Sequence, residues 1–272
     1  MTDPEIEPGR PEQPPPAYVP GHDLLAGKVV VVTAAAGAGI GAAVVRRALE
    51  EGAQAVVFSD THERRLAEAE EALAVEFGPE RVRQRVCDVT DEAQVQGLLD
   101  AADELGGVDV MVNNAGLGGT ASVLEMTDEQ WLRVLDITLT GTFRCVRAAG
   151  QRMADAGRGG VIVNNASVIG WRAQEGQAHY AAAKAGVMAL TRCAALDLAP
   201  HGIRVNAVSP SLAMHPFLAK VTSEELLAEL KQREAFGRAA EPWEVANVMV
   251  FLASDYSSYL TGEVVSVSSQ RA

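Results

Sequence analysis

Three side chains in one short run have the chemistry of a proton-transfer site. Ser167 closes an apolar run at 160–165, Tyr180 comes thirteen residues after it, and Lys184 four after that. Residues at i and i+4 share a helix face, so on a helix Tyr180 and Lys184 point at the same spot. An ammonium beside a phenol favours the phenolate, the form a general base working near neutral pH requires. The Tyr-x-x-x-Lys spacing alone also fits a surface tyrosine and a solvated lysine on an alanine-rich helix. The flanking sequence decides between them.

The elements that must hold this run alternate between two periods. Residues 28–33 contain four consecutive valines, the mark of a central parallel strand buried on both faces. Ala34 to Gly41 is a glycine-rich stretch, with Gly37, Gly39, Ile40 and Gly41 leading into helical spacing over 42–51. Strand, glycine loop and helix in that order let backbone approach a pyrophosphate at a positive helix end. A second strand, 53–60, ends in Asp60. An acid there accepts from the ribose hydroxyls of NAD and repels the 2′-phosphate of NADP; the other reading of it is a cap for the next helix. Arg64 and Arg65 are placed to neutralise such a phosphate. NAD is favoured, with NADP not excluded.

Further along, helices are expected at 63–77 and 91–105, with strands at 81–87 and from Val108 into Asn113-Asn-Ala-Gly116. Residues 127–153 read as one long amphipathic helix, or two broken near Gly141. A strand at 160–165 precedes a helix from His179 that Pro200-His-Gly202 stops. A sixth strand, 203–209, is followed by a mixed segment to about Gly237, long enough to act as a lid. A helix at 242–253 and a strand at 263–267 complete the chain. The fold class is α/β: a single-domain Rossmann-type, doubly wound parallel sheet of about seven strands with helices on both faces. The glycine loop, Asp60, Asp88, Asn114, Ser167 and Pro210 then all lie at strand C-termini, where such sheets bind ligands.

Composition bounds the rest. Residues 1–21 hold seven of the twelve prolines and read as a flexible extension, with 22–272 as the catalytic domain. A net charge of −13 argues against nucleic acid as a partner. The three cysteines show no metal spacing and read as buried thiols of a reducing compartment. No metal site is expected. No run reaches membrane-spanning length, and the acidic start carries no secretory signal core; a cytoplasmic location is expected.

The chain from about Leu25 to Val267 resembles the short-chain dehydrogenase/reductase family. The likeness rests on Asn113-Asn-Ala-Gly116, Ser167, Tyr180-Ala-Ala-Ala-Lys184, Ala207-Val-Ser-Pro210 and Phe251-Leu-Ala-Ser-Asp255. It implies an NAD-dependent oxidoreductase interconverting a secondary alcohol and a ketone. Tyr180 would be the acid/base, Ser167 would polarise the substrate oxygen, and Lys184 would bind the nicotinamide ribose and lower the phenol's pKa. Asp88 and Val89 would contact adenine, and Asn114 the adenosine side, with Gly116 against the cofactor. The resemblance also implies a homo-oligomer, a dimer of dimers. A narrower likeness to sterol-catabolising members lies in residues 33–41, 167–174 and 237–244. It implies a fused-ring substrate carried as a CoA thioester, with Trp171 and Met214 as apolar walls and Arg172 meeting an anionic group.

Four departures stand against the family pattern. Ala34 replaces the first loop glycine, and the loop is one residue longer. Thr138 stands where many members have a catalytic asparagine. Pro210-Ser-Leu-Ala-Met-His215 replaces Pro-Gly-x-x-x-Thr, and Ser268-Ser-Gln replaces Asp-Gly-Gly. Two other readings share these residues: a 3-oxoacyl-thioester reductase of fatty-acid synthesis using NADPH, and a non-catalytic dinucleotide-binding or redox-sensing protein.

Overall fold

A computed structural model of the chain describes residues 12–214 and 224–269, without the Leu226 side chain. Seven parallel strands form one sheet in the order β3-β2-β1-β4-β5-β6-β7. They are β1 Val29–Val32, β2 Ala55–Asp60, β3 Val82–Val86, β4 Val110–Asn113, β5 Gly160–Asn165, β6 Ile203–Pro210 and β7 Val264–Val267. Four valines form β1 because β-branched side chains suit a strand covered on both sides; all four are at most 1% exposed. The order reverses direction between β1 and β4, which opens a crevice at the strand C-termini.

The helices are α1 Ile40–Glu50, α2 Glu63–Phe77, α3 Glu92–Asp103, α4 Asp128–Leu135, α5 Gly141–Ala156, α6 Ala178–Leu198, α7 Glu224–Arg233 and α8 Pro242–Ala253. One core packs α1, α2 and α8 on one face of the sheet; the other packs α3, α5 and α6 on the opposite face. The expected break near Gly141 is a turn of π-helix, Asp136–Thr140, between α4 and α5. Cys87 and Cys145 are buried, and burial pushes the Cys87 thiol up to about 12. Cys193 is exposed, contrary to the expectation of three buried thiols, because it lies on the outward face of α6.

From residue 12 the N-terminal extension runs without helix or strand over the body. Gln13 N donates to Phe236 O at 3.0 Å, and Arg238 Nε donates to Gln13 O at 2.7 Å. Tyr18 stacks edge-on against Trp243 with centroids 5.3 Å apart. Its hydroxyl donates to Glu50, beside a buried Arg47–Glu51 ion pair.

At the centre of the sheet, β4 pairs with β5 in the register Asn113↔Asn164. Asn113 Nδ2 donates to Asn164 Oδ1 at 2.8 Å, and Asn164 Nδ2 donates to Thr191 Oγ1 of α6 at 2.9 Å. The next pair points the other way, as alternation along a strand requires: Asn165 Nδ2 donates to Asn114 Oδ1 at 2.9 Å.

Candidate active site

Ser167 leaves β5 in extended backbone and caps the short turn Val168–Gly170, its Oγ accepting from Ile169 N at 3.3 Å. Gly170 lets that turn lie directly on α6. A Cβ there would stand 2.7 Å from Met188 Cε, 3.0 Å from Ala185 N and 3.1 Å from Lys184 C. Tyr180 and Lys184 occupy the first two turns of α6. The Ser167 hydroxyl acts on the phenol, pulling its pKa down. Lys184 Nζ lies 5.5 Å from the Tyr180 ring centroid. This lysine is 3% exposed, and its Nζ donates to Asn165 O at 2.6 Å. The three residues named from their spacing therefore share one site.

Burial disfavours charge on both titrating groups. It pushes the Tyr180 phenol above its ordinary value, and the Ser167 hydroxyl opposes that shift. Burial also pulls the Lys184 ammonium down to about 8. The expectation assigned the lowering of the phenol's pKa to Lys184; here that influence comes from Ser167. The pair rests as a neutral phenol beside a weakly held ammonium proton, which suits proton donation to a carbonyl oxygen.

The glycine loop lies a short relay away. Lys184 reaches Asn165 O, Asn165 reaches Asn114, and Asn114 Nδ2 donates to Ala34 O at 2.9 Å. Thr33 Oγ1 accepts from both Asn114 N and Ala115 N at 3.0 Å. Ala34 has the left-handed φ of +54°, where only glycine is free of strain. At the place of the missing family glycine the chain thus carries an alanine in a strained, left-handed backbone. Gly41 is forced: a Cβ there would stand 2.4 Å from Ala34 O and 2.6 Å from Asn114 Nδ2. Gly39 caps α1 without any side-chain hydrogen bond, and a Cβ on Gly37 would meet nothing within 4 Å. Ile40 opens α1 half-buried. An uncapped helix start facing open space fits a dinucleotide pyrophosphate.

Asp60 Oδ2 accepts from Ala36 N at 3.3 Å and Oδ1 from His62 N at 3.2 Å. His62, not Asp60, is the N-cap of α2, so the carboxylate sits at the strand end beside the loop, as a ribose acceptor must. Arg64 and Arg65 are both exposed on the first turn of α2, with Arg64 3.3 Å from Glu68 one turn on. Asp88 Oδ1 accepts from Thr90 N at 2.9 Å and Thr90 Oγ1 at 2.8 Å. Val89 is buried against Gly141, whose absent Cβ would meet Val89 Cγ2 at 2.5 Å. Gly116 faces Lys184, with Nζ 3.4 Å from where a Cβ would stand.

Thr138 is fully buried in the π-turn. Its Oγ1 accepts from Leu117 N at 2.9 Å and donates to Leu117 O at 3.1 Å. That hydroxyl clamps the loop after β4. Trp171 is 50% exposed and Arg172 is exposed, both directly beyond the Ser167 turn. Met214 lies on a separate segment past β6, where its N donates to Ala240 O at 2.9 Å; His215 falls outside the described residues. Sequence reasoning missed Thr33, Asn165 and Gly170 as site builders. It also missed His179, which is 2% exposed with Nε2 3.1 Å from where a Gly119 Cβ would stand. Among the described residues no cluster of His, Cys, Asp and Glu could hold a metal, and no helix is long and apolar enough to cross a membrane.

A parallel doubly wound sheet with this Ser-Tyr-Lys site defines an oxidoreductase, and the chain belongs to the short-chain dehydrogenase/reductase family, whose members bind NAD(P). A family model described as enoyl-(acyl carrier protein) reductase matches residues 34–269. Among curated relatives, the chain is 63% identical over 256 residues to a Mycobacterium tuberculosis protein, covering 94% of this chain and 97% of that one. That relative is a (5R,7aS)-5-hydroxy-7a-methyl-1-oxo-2,3,5,6,7,7a-hexahydro-1H-indene-carboxyl-CoA reductase. This chain is also 42% identical to a cis-4-hydroxycyclohexanecarboxylate dehydrogenase of Sinomonas cyclohexanicum, over 90% of this chain and 96% of that one. A solved short-chain dehydrogenase from Mycobacterium smegmatis superposes with a TM-score of 0.82 at 55% identity, covering 98% of this chain and 100% of that one.

Proposed function

We propose that the protein interconverts a secondary alcohol and a ketone on a fused-ring acid carried as a CoA thioester, with NAD as its cofactor. The observation that carries the chemistry is the convergence of Ser167, Tyr180 and Lys184 beside Asn165, in reach of an uncapped glycine loop. The substrate class is supported by the 63% identity with the indene-carboxyl-CoA reductase. Gly37, Gly39 and Gly41 would hold the pyrophosphate, Asp60 the adenosine ribose, Asp88 and Asn114 the adenine side, and Lys184 the nicotinamide ribose. When bound, the nicotinamide supplies the hydride acceptor or donor.

Ser167 Oγ donates to the substrate oxygen. In the reducing direction Tyr180 Oη gives its proton to that oxygen; in the oxidising direction the phenolate takes it back. Lys184, charged below about 8, binds the nicotinamide ribose, while the Ser167 hydroxyl holds down the pKa of the phenol as it ionises. Trp171 and Met214 supply apolar walls, and the exposed Arg172 meets an anionic group of the thioester carrier. Asp60 beside the loop backbone supports NAD over NADP.

The protein is further proposed to assemble as a homo-oligomer of dimers in the cytoplasm, with residues 22–272 as its catalytic domain. An outward stripe of Ala182, Ala185 and Ala189 on α6, with Leu196 77% exposed, supports helix-to-helix association. Tyr180→Phe tests the chemistry. Turnover of indene-carboxyl-CoA substrates is expected to fall about 10²–10⁴-fold, while nucleotide binding, read by fluorescence titration, is retained. Persistent turnover in this variant refutes the assignment.

A further inference from the structure

Glu234, just past α7, is 8% exposed and makes no ion pair among the described residues. Its Oε2 accepts from Ser211 Oγ at 3.1 Å and from Ser269 Oγ at 3.0 Å. Those two hydroxyls come from chain segments far apart in sequence. Ser211 follows β6 on the way to Met214, and Ser269 follows β7. Backbone bonds tie the same pieces together: Ser211 N donates to Val267 O at 3.1 Å, Ala235 N to Ser269 O at 2.6 Å, and Ala240 N to Leu212 O at 2.8 Å.

Both serines stand where the family pattern has glycine, in Pro210-Ser and in Ser268-Ser-Gln. These are two of the departures that the reaction chemistry leaves unexplained. A glycine at either place offers no side-chain donor. A buried carboxylate without donors costs several kcal/mol, so the two substitutions and the carboxylate make sense only together. An apolar residue at 234 would fill the space without fixing direction; two hydrogen bonds to one oxygen fix it.

We propose that Glu234 is a positioning residue for the substrate, and that Ser211 and Ser269 are its matched donors. The carboxylate pins the root of the segment bearing Met214 to the end of β7, and so sets the distance of that wall from the Ser167 turn. The kinetic part rests on the proposed oxidoreductase reading; the exchange part does not.

The test compares Glu234→Gln, Glu234→Met and the double variant Ser211→Ala/Ser269→Ala in the full chain. Amide hydrogen exchange is followed at residues 211–214 and 235–240, alongside substrate KM, kcat and nucleotide Kd. The glutamine carbonyl still accepts both hydroxyls, so Glu234→Gln is expected to match the parent. Glu234→Met is expected to speed exchange at Ser211, Met214 and Ala240 and to raise substrate KM about tenfold, the size of two lost hydrogen bonds at the weak end of their range, with nucleotide Kd unchanged. The double serine variant breaks the same bonds and gives the answer if Glu234→Met does not fold. Equal behaviour of the glutamine and methionine variants overturns the proposal. So does a loss of thermal stability with exchange and KM unmoved. Absence of turnover in the parent protein defeats the substrate reading alone, and exchange then decides.

Discussion

Gly170→Ala probes how the site is assembled without touching a reacting group. The added Cβ would stand 3.0 Å from Ala185 N and 3.1 Å from Lys184 C, backbone atoms of a helix that cannot bend aside. The 2.7 Å approach to Met188 Cε is different, because a methionine end swings away. Restoring ordinary contact at 3.4 Å requires the Ser167 turn to lift from α6 by the difference, about 0.4 Å. A misplacement of about 1 Å can cost about 10²-fold in rate, so this lift is worth about sixfold in kcat, or about 1 kcal/mol. Overpacking adds about 1–3 kcal/mol of destabilisation, a fall in Tm of about 2–4 °C for each kcal/mol in a chain of this size. Steady-state kinetics with saturating nucleotide, together with calorimetry, read both effects. Adding Met188→Ala should leave kcat unrestored, because the backbone contacts remain, while truncating this buried side chain costs a further loss of about 2–5 kcal/mol. A Gly170→Ala enzyme with parental kcat, or one whose loss lies wholly in nucleotide Kd, refutes the claim that this glycine seats Ser167 against Tyr180.

Other consequences are as direct. Lys184 loses its proton through about 8, so kcat/KM for ketone reduction should be flat below that pH and decline above it; in Lys184→Arg the decline at that pH should vanish. The same group sets a stability trend: its folded pKa lies below the ordinary 10.5, so the unfolded chain binds more protons between the two values. Stability from this group therefore rises with pH across that window, measurable as denaturant midpoints. Asp60→Ala should narrow the NAD over NADP preference in a two-cofactor assay, and an unchanged ratio would leave Asp60 as a backbone anchor only. Ala34→Gly removes left-handed strain of about 1–2 kcal/mol against an unfolded-state cost of about 0.4–1 kcal/mol. A net gain of about 0.5–1 kcal/mol in the denaturant midpoint is expected, and a loss would show that Ala34 is unstrained.

The parts legible in the sequence were those where one residue type has few alternatives. Four valines in a row leave little but a covered strand, and a serine, a tyrosine and a lysine gain their chemical reading once the flanking glycine loop and Asn-Ala-Gly run are read with them. The π-turn at Asp136–Thr140 was not legible, because nothing in the composition marks a lost helical hydrogen bond; only a break near Gly141 was. Thr138 could be seen as a departure, yet its partner Leu117 lies across a loop and has no sequence signal. Gly170 read as one more loop residue, since the need for it arises only when α6 presses on the turn. Glu234 was hidden for the same reason: its donors are brought to it by β6 and β7, from positions 23 and 35 residues away. The proline-rich extension showed only what it lacks, not the Tyr18–Trp243 contact that holds it.

The paired asparagines between β4 and β5 also bear on how the sheet finds its alignment. Strands apolar on both sides, such as β1 and β4, carry no alternation to fix one offset over the next. A slip of one residue between β4 and β5 would part Asn113 from Asn164, stranding two buried amides at about 1–3 kcal/mol apiece, and would break the half-buried Asn114–Asn165 pair as well. The amides therefore act as a ratchet tooth that rejects every offset but one. The same strand ends that carry the reaction also tell the chain, while it folds, when its middle is in the right place.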